Sequence, residues 1–338
     1  MTTLRAVICG VGAALPPRVV TNDELSAYLD TSDEWIRQRT GIRTRRRVDP
    51  GTATADLATE AGARALASAG VTDVDAVVLA TATPDRLVPA TAPEVATRLG
   101  LTGVAAYDVA AVCSGFVYGL ASAAGLVATG DFRRVLLIGA EAYSTIIDPK
   151  DRTTAAIFGD GAGAVVLRAG GPGEPGAIGP VDLGSDGSLV ELGMIPAGGS
   201  RQRSAGGTAA PEDHYFRMQG GDMYRHAVTR MTASASTALD RAGWRLSDVD
   251  RFVPHQANAR IAAAVAERLG LTGDQLVSNI EHVGNTAAAS IPLLLAQAAA
   301  DGRLRPGHRV LLAAFGSGAT WGATTLVWPE VGAVPIPS

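Results

Sequence analysis

The chain has 338 residues, of which 47% are apolar and 18% charged, with a net charge of -4. That length is ample for one large α/β domain or two smaller ones, and the composition excludes a disordered chain. The charge balance excludes a general attraction to nucleic acid or anionic membrane, so any basic site has to be local.

The first residues, MTTLRAVICGVGAALPP, lack the basic start and long apolar run of a secretory leader, and no membrane-spanning run follows. Cys9 and Cys113 are the only cysteines and cannot build a disulfide framework, and no Cys/His spacing suits a metal. A cytoplasmic enzyme without a bound metal is expected. AVICGVG reads as a strand, with Cys9 a packing thiol inside it. TSDEWIRQRTGI, residues 31–42, reads as a helix opened by a capping box from Thr31 to Glu34 and closed at Gly41. Trp35 and Arg39 then share one helix face, where an indole beside a guanidinium can stack a base and bind phosphate.

Next come a helix in ATADLATEAGARALASAG, a strand in DAVVLATAT, a helix in APEVATRLG and a strand in AAYDVAAV, the alternation of a layered α/β fold. Cys113 sits where the last strand meets a small-residue helix read as Ser114–Ala128, with Gly130 as its C-terminal cap. A thiol at a helix start is expected to have a lowered pKa, yet unpaired cysteines are among the most buried residues, so on its own the stretch favours a packing thiol over a nucleophile and both readings stay open at this point. FGDGAGAVVL lacks the Lys-Ser/Thr ending of a phosphate loop and leads into a strand, so it is not read as nucleotide binding. Residues 168–179 read as a Gly/Pro-rich connection, 196–213 as an exposed loop, and the tail PEVGAVPIPS as non-helical.

The pattern then repeats. ALASAGVTDVDAVVL resembles ALDRAGWRLSDVDRFV, pairing Gly70 with Gly243 and Asp75 with Asp250, and TGDFRRVLLIGA resembles DGRLRPGHRVLLAAFG. This implies a duplicated domain with a first half over residues 1–170 and a second over 171–338, packed about a pseudo-twofold. Counting back equally from Gly130 and Gly302 lands on Cys113 and Asn285, which are therefore expected at equivalent helix starts. His255, after a strand in RFVPHQANARI, is placed to reach a site at a sheet end, though a structural role is equally open. Asn285 alone reads as a helix cap, and the Gly-Ser-Gly turn of AAFGSGATWG as either a strand connection or a set of backbone donors.

Taken together, DVAAVCSGF, VPHQANARI, HVGNTAAAS, SDEWIRQRTGIRTRRR, FGDGAGA and FGSGATWG resemble the β-ketoacyl-acyl carrier protein synthase III family of the thiolase superfamily, from about Arg5 to Trp328. The resemblance implies a five-layered α-β-α-β-α fold of two thiolase-like halves, a homodimer and no cofactor. It implies that Cys113, His255 and Asn285 are catalytic: an acyl-CoA starter loads on Cys113, and malonyl-acyl carrier protein then condenses with loss of carbon dioxide. That step would start fatty acid or polyketide synthesis. Cys113 and Ser317 would supply the oxyanion hole, with Phe315 beside the malonyl carboxylate. Thr31, Trp35, Arg39, Arg152, Gly220 and Asn258 would bind CoA, and Arg225 and Arg260 would dock the acidic carrier protein.

Four positions depart from the family pattern, the first three being the glycine run after Phe315, which is Gly316-Ser317-Gly318, Ala319 in place of a bulkier residue, and Glu267 where a basic docking residue is common. The fourth is Val88, which takes the place of a phenylalanine that closes the acyl pocket across the dimer in some acetyl-specific members, so starters longer or more branched than acetyl are expected. Two alternatives share the fold: an acyltransferase passing the acyl group from Cys113 to a hydroxyl or amine, and a non-catalytic partner subunit.

Overall fold

The structure is a computed structural model and describes residues 4–332; the end of the proline-rich tail, 333–338, lies outside the described residues. The first half runs β1 (Arg5–Ala14), α1 (Asp33–Thr40), α2 (Thr54–Ala69), β2 (Ala76–Ala80), α3 (Ala92–Arg98), β3 (Ala105–Val109), α4 (Gly115–Ala128), β4 (Arg134–Glu141) and β5 (Gly161–Gly170). The second runs β6 (Asp182–Ser185), α5 (Gly220–Ala242), β7 (Arg251–Pro254), α6 (Ala259–Arg268), α7 (Ser290–Ala300), β8 (Arg309–Gly316) and β9 (Thr320–Val327).

The first sheet has the order β1-β5-β4-β2-β3, with β2 parallel to β3 and β4 and β5 antiparallel to its neighbours. The second has the order β7-β8-β9-β6, and Leu276 bridges in parallel to Phe252 where the first sheet has β3. The two sheets therefore share one topology.

Alternate residues of the strands face different layers, and both faces are apolar, so the strands read as unbroken hydrophobic runs. Val77, Leu79, Leu136 and Ile138 pack outward on α2 and α3, while Val78, Val135 and Leu137 pack inward with Phe116 and Leu120 of α4 and Ile291 and Leu294 of α7. Val310 and Leu312 of β8 meet the same middle layer from the other side, and Phe252, Leu311 and Ala313 pack outward with α5 and α6. The result is the five-layered thiolase fold. Gly163 marks how close the layers come: a Cβ there would run into the backbone nitrogen of Leu293 in α7. FGDGAGAVVL is thus a packing motif that opens β5.

The repeat is visible in matching hydrogen bonds. Asp75 N donates to Arg134 O at 2.9 Å and its carboxylate accepts Arg134 N at 2.8 Å. Asp250 N donates to Arg309 O at 2.9 Å and its carboxylate accepts Arg309 N at 2.8 Å. The same spacing carries Cys113 onto Ala288, which corrects the expected pairing with Asn285. Helix α4 has 14 residues and α7 only 11, so counting back from the closing glycines lands ahead of the true counterpart.

Two local expectations also change. The cap of α1 is Ser32, whose side chain accepts Trp35 N at 3.1 Å, not Thr31. The 196–213 segment is exposed as expected but contains a short helix, Ser200–Ala205. Among the described residues no helix is long and apolar enough to cross a membrane.

Candidate active site

β3 ends at Val109, and the chain then tightens into a 3-10 turn, Val112–Ser114, before α4 begins at Gly115. The sulfur therefore sits on this lead-in turn, one position ahead of the helix start read from sequence. Val112 has φ +45°, a costly conformation for a β-branched residue, and its counterpart Ala287 has φ +43°. The two strained turns meet at the centre of the molecule, where a Cβ on Gly115 would touch the Ala288 side chain at 3.4 Å. Ser114 Oγ anchors the first turn by donating to Thr320 Oγ1 at 2.7 Å or Ala111 O at 2.8 Å.

Cys113 is half-buried and lines the cavity described below. Burial first, and then the nearby Glu141 carboxylate, push its thiol well above the ordinary range, while its own backbone N–H opposes this in part. This reverses the expectation of a lowered pKa, because desolvation outweighs the helix-start effect in the resting site.

His255 follows β7, with its backbone N–H donating to Ala313 O at 2.8 Å. Its Nδ1 lies 2.6 Å from Ser290 Oγ, the first residue of α7. Ser290 Oγ accepts Gln256 N–H at 3.4 Å and has no acceptor for its own proton among the described residues other than Nδ1, which leaves the imidazole proton on Nε2. Nε2 is buried without a partner among the described residues, and His255 lines the cavity. Burial holds its pKa down to about 3, so the ring is neutral.

Asn285 is fixed by its backbone, which donates to Ile157 O at 2.9 Å and accepts Gly159 N at 3.0 Å. Its Oδ1 accepts Ala287 N–H at 2.9 Å, which orients the amide and leaves the NH2 as the free donor.

Glu141, at the end of β4, is fully buried; Ala82 N–H donates to its Oε1 at 3.0 Å, Ala288 N–H to the same oxygen at 3.4 Å, and Thr83 Oγ1 to Oε2 at 2.8 Å. Burial raises its pKa to about 8, against the pull of these donors. The repeat places Gly316 opposite Glu141. A Cβ on Gly316 would lie 2.9 Å from Cys113 N and 3.1 Å from Ser114 N, so glycine leaves open, beside Cys113, the space that a carboxylate fills beside Ala288.

Cys113, His255, Asn285, Phe315 and Ser317 all line one cavity of about 510 Å³, whose outer part is lined by Trp35, Arg39, Gly220, Asn258 and Arg260. Asn258 ties this outer part together: Oδ1 caps α6 by accepting Arg260 N at 2.8 Å, and Nδ2 donates to Arg39 O at 3.0 Å. The Arg39 and Arg152 guanidinium carbons lie 5.4 and 5.3 Å from the centre of the Trp35 ring. Thr31, Arg152 and Arg225 stand outside the lining, Arg225 being exposed and paired with Asp222. Val88 is 85% exposed, on a surface loop away from this chain's own cavity.

Sequence reading missed Tyr143, Glu141 and Ser290. Glu141 carried a usable signal, an acid closing the apolar strand RVLLIGAE. Tyr143 and Ser290 carried none, because each gains its setting from residues distant in the chain.

Two repeated α/β halves stacked in five layers around a buried cysteine turn define the class: the protein is a thiolase-fold acyltransferase. The family model described as 3-oxoacyl-[acyl-carrier-protein (ACP)] synthase III matches residues 107–187, and that of its C terminal matches 239–328. The chain belongs to the 3-oxoacyl-[acyl-carrier-protein] synthase III family. It is 61% identical over 328 residues to β-ketoacyl-[acyl-carrier-protein] synthase III 5 of Streptomyces coelicolor, covering 97% of this chain and 98% of that protein. The crystal structure of 3-oxoacyl-(acyl carrier protein) synthase III from Pseudomonas aeruginosa PAO1 superposes with a TM-score of 0.91 at 51% identity, covering 98% and 100% of the two chains. The priming β-ketosynthase from the R1128 polyketide biosynthetic pathway gives a TM-score of 0.89 at 34% identity, covering 98% of each.

Proposed function

We propose that this chain loads an acyl group from acyl-CoA onto Cys113 and condenses it with malonyl-acyl carrier protein to give a 3-oxoacyl-carrier protein. The observation that carries this reading is the arrival of Cys113, His255 and Asn285, from three separate segments, on one cavity with Trp35 and Arg39 toward its outer end.

In the first half-reaction Sγ of Cys113 bonds to the thioester carbon and the CoA sulfur leaves with the thiol proton. The tetrahedral oxyanion is held by the backbone N–H groups of Cys113 and Ser317. Gly316 supports this role, since its missing side chain opens the space beside Cys113 N. In the second, the malonyl C–CO2 bond breaks beside Phe315 and carbon dioxide departs. His255 Nε2–H and the Asn285 amide donate to the enolate oxygen while the new carbanion attacks the acyl-cysteine carbonyl and expels the Cys113 thiolate. A neutral histidine with its proton on Nε2 suits a hydrogen-bond donor rather than a base. Every group used belongs to the protein, so no cofactor or metal is required.

Trp35, Arg39 and Arg152 would hold the CoA nucleotide, with Gly220 and Asn258 along the arm and Thr31 at the turn before α1. Arg225 and Arg260 would meet the acidic carrier protein, and the cytoplasm is the compartment in which both substrates occur. Leu87 and Val88, 70% and 85% exposed, support a homodimer in which Val88 caps the partner's acyl pocket and leaves room for starters beyond acetyl.

The test is to incubate the protein with a panel of acyl-CoAs, weigh the acyl-enzyme by intact mass spectrometry, then add malonyl-carrier protein. Loading followed by release of 3-oxoacyl-carrier protein is the expected result. Loading without condensation points to transfer onto a hydroxyl or amine, and no loading at all to a non-catalytic partner.

A further inference from the structure

Behind Cys113 the cavity wall is an aromatic box. The Tyr143 ring stacks on Phe158 at 4.3 Å and meets Phe216 edge-on at 5.5 Å, and Cys113 packs against the same cluster with Ala82, Ile157 and Met218. All three rings line the cavity and are nearly fully buried, Tyr143 being 1% exposed. A buried tyrosine hydroxyl ordinarily finds a partner. Two other tyrosines do so, Tyr107 with Ser122 Oγ at 2.6 Å and Tyr118 with Gly184 O at 2.8 Å. The Tyr143 hydroxyl makes no hydrogen bond among the described residues. Its phenol lies close enough to Cys113 and Glu141 for negative charge on either to oppose its ionisation, so it stays a neutral donor in the inner cavity.

Building on the acyl-loading reading above, we propose that the Tyr143 hydroxyl is a specificity-determining donor in the acyl pocket, favouring starter acyl groups with a hydrogen-bonding oxygen on the chain over alkyl groups of the same shape. A purely alkyl starter that fills the aromatic box takes the cavity space beside that hydroxyl and offers it no partner, which costs binding free energy that an oxygenated chain recovers. The shape of the box constrains chain width, and the hydroxyl adds a chemical criterion that Val88 cannot supply.

The test uses three isosteric pairs that exchange a methyl for a hydroxyl: isobutyryl- and lactyl-CoA, isovaleryl- and 3-hydroxybutyryl-CoA, and pentanoyl- and 4-hydroxybutyryl-CoA. Each is allowed to load Cys113 with release of CoA thiol, and the rate is read by intact mass. The wild-type protein is expected to prefer the hydroxyl member in at least one pair by about tenfold, the worth of one buried neutral hydrogen bond. Tyr143→Phe keeps the ring stack and is expected to bring that ratio to about one or invert it. No preference in any pair, or a preference that survives in Tyr143→Phe, overturns the inference while leaving acyl loading standing. Failure of all six to load while acetyl-CoA loads overturns this inference and leaves acyl loading standing, and failure of acetyl-CoA as well overturns both.

Discussion

Ser290 Oγ lies 2.6 Å from His255 Nδ1, joining the start of helix α7 to the histidine that follows strand β7. The hydroxyl sets which ring nitrogen carries the proton, and the other nitrogen is left without a partner among the described residues in a ring that lines the cavity. Ser290→Ala removes that orientation without emptying the site. The condensation rate is expected to fall about 10- to 100-fold, the usual cost of losing an outer partner of a working histidine. Acyl loading on Cys113 and the KM for acyl-CoA should stay near wild type. Single-turnover measurement of the two half-reactions separates these, and an equal loss in both would sink the tautomer role.

Gly316→Ala probes the space beside the nucleophile. The added methyl would press on Cys113 N and Ser114 N at 2.9 and 3.1 Å, both backbone atoms on a strained turn that cannot give way cheaply. Acyl loading should slow by about 100-fold, as for loss of one oxyanion donor. The melting temperature should also fall, by an amount reflecting roughly 1–3 kcal/mol of overpacking. Normal loading in this variant would remove Cys113 N–H from the mechanism.

Two buried groups give opposite pH signatures. His255 titrates near 3 in the folded protein against 6.5 free, so the unfolded chain takes up the proton first and stability is lost as pH falls from 6.5 toward 3. Glu141 titrates near 8 against 4.5 free, so the folded protein keeps its proton longer and stability is lost as pH rises from 4.5 toward 8. Urea midpoints across this range should flatten on the acid side in His255→Gln and on the alkaline side in Glu141→Gln. The condensation rate of the wild type should show no inflexion near 6.5, since His255 is already neutral there.

Trp35 is the shared surface of Arg39 and Arg152, whose guanidinium carbons lie 5.4 and 5.3 Å from its ring centre. Trp35→Ala should raise the KM for acyl-CoA roughly tenfold through lost stacking and loosened arginines, with the maximal loading rate retained. A fall in that rate at saturating acyl-CoA would place Trp35 in positioning the thioester instead.

The cysteines separate cleanly by mass. Cys113→Ala should accumulate no acyl adduct from any acyl-CoA, whereas Cys9→Ala should load like wild type. Cys9 is partly buried in β1, its thiol faces Val166 O at 3.5 Å, and it is absent from the cavity lining.

The fold was legible in the chain because its strands are apolar on both faces and its second half repeats the first. Asp75 and Asp250, matched by pattern alone, make the same backbone bonds to Arg134 and Arg309. The site was legible in its motifs, and Cys113, His255 and Asn285 do share one cavity. The repeat register slipped at Asn285 because α7 is a turn shorter than α4, a difference that periodicity in small residues does not reveal.

The layered α/β class, the internal repeat and the family rest on period, spacing and local motifs, which neighbours in the chain carry. The state of the groups inside depends on how the chain packs. A thiol at a helix start was expected to be acidic, yet burial and Glu141 make Cys113 a reluctant acid at rest. A histidine after a strand could have been structural or part of a site, and Ser290 and burial leave it a neutral ring with Nδ1 held by a hydroxyl. Tyr143 was silent in the chain and stands bare-hydroxylled beside the nucleophile because Phe158 and Phe216 hold its ring there. Protonation and hydrogen-bond polarity depend on which distant residues close around a group, and that is settled by packing rather than by sequence neighbours.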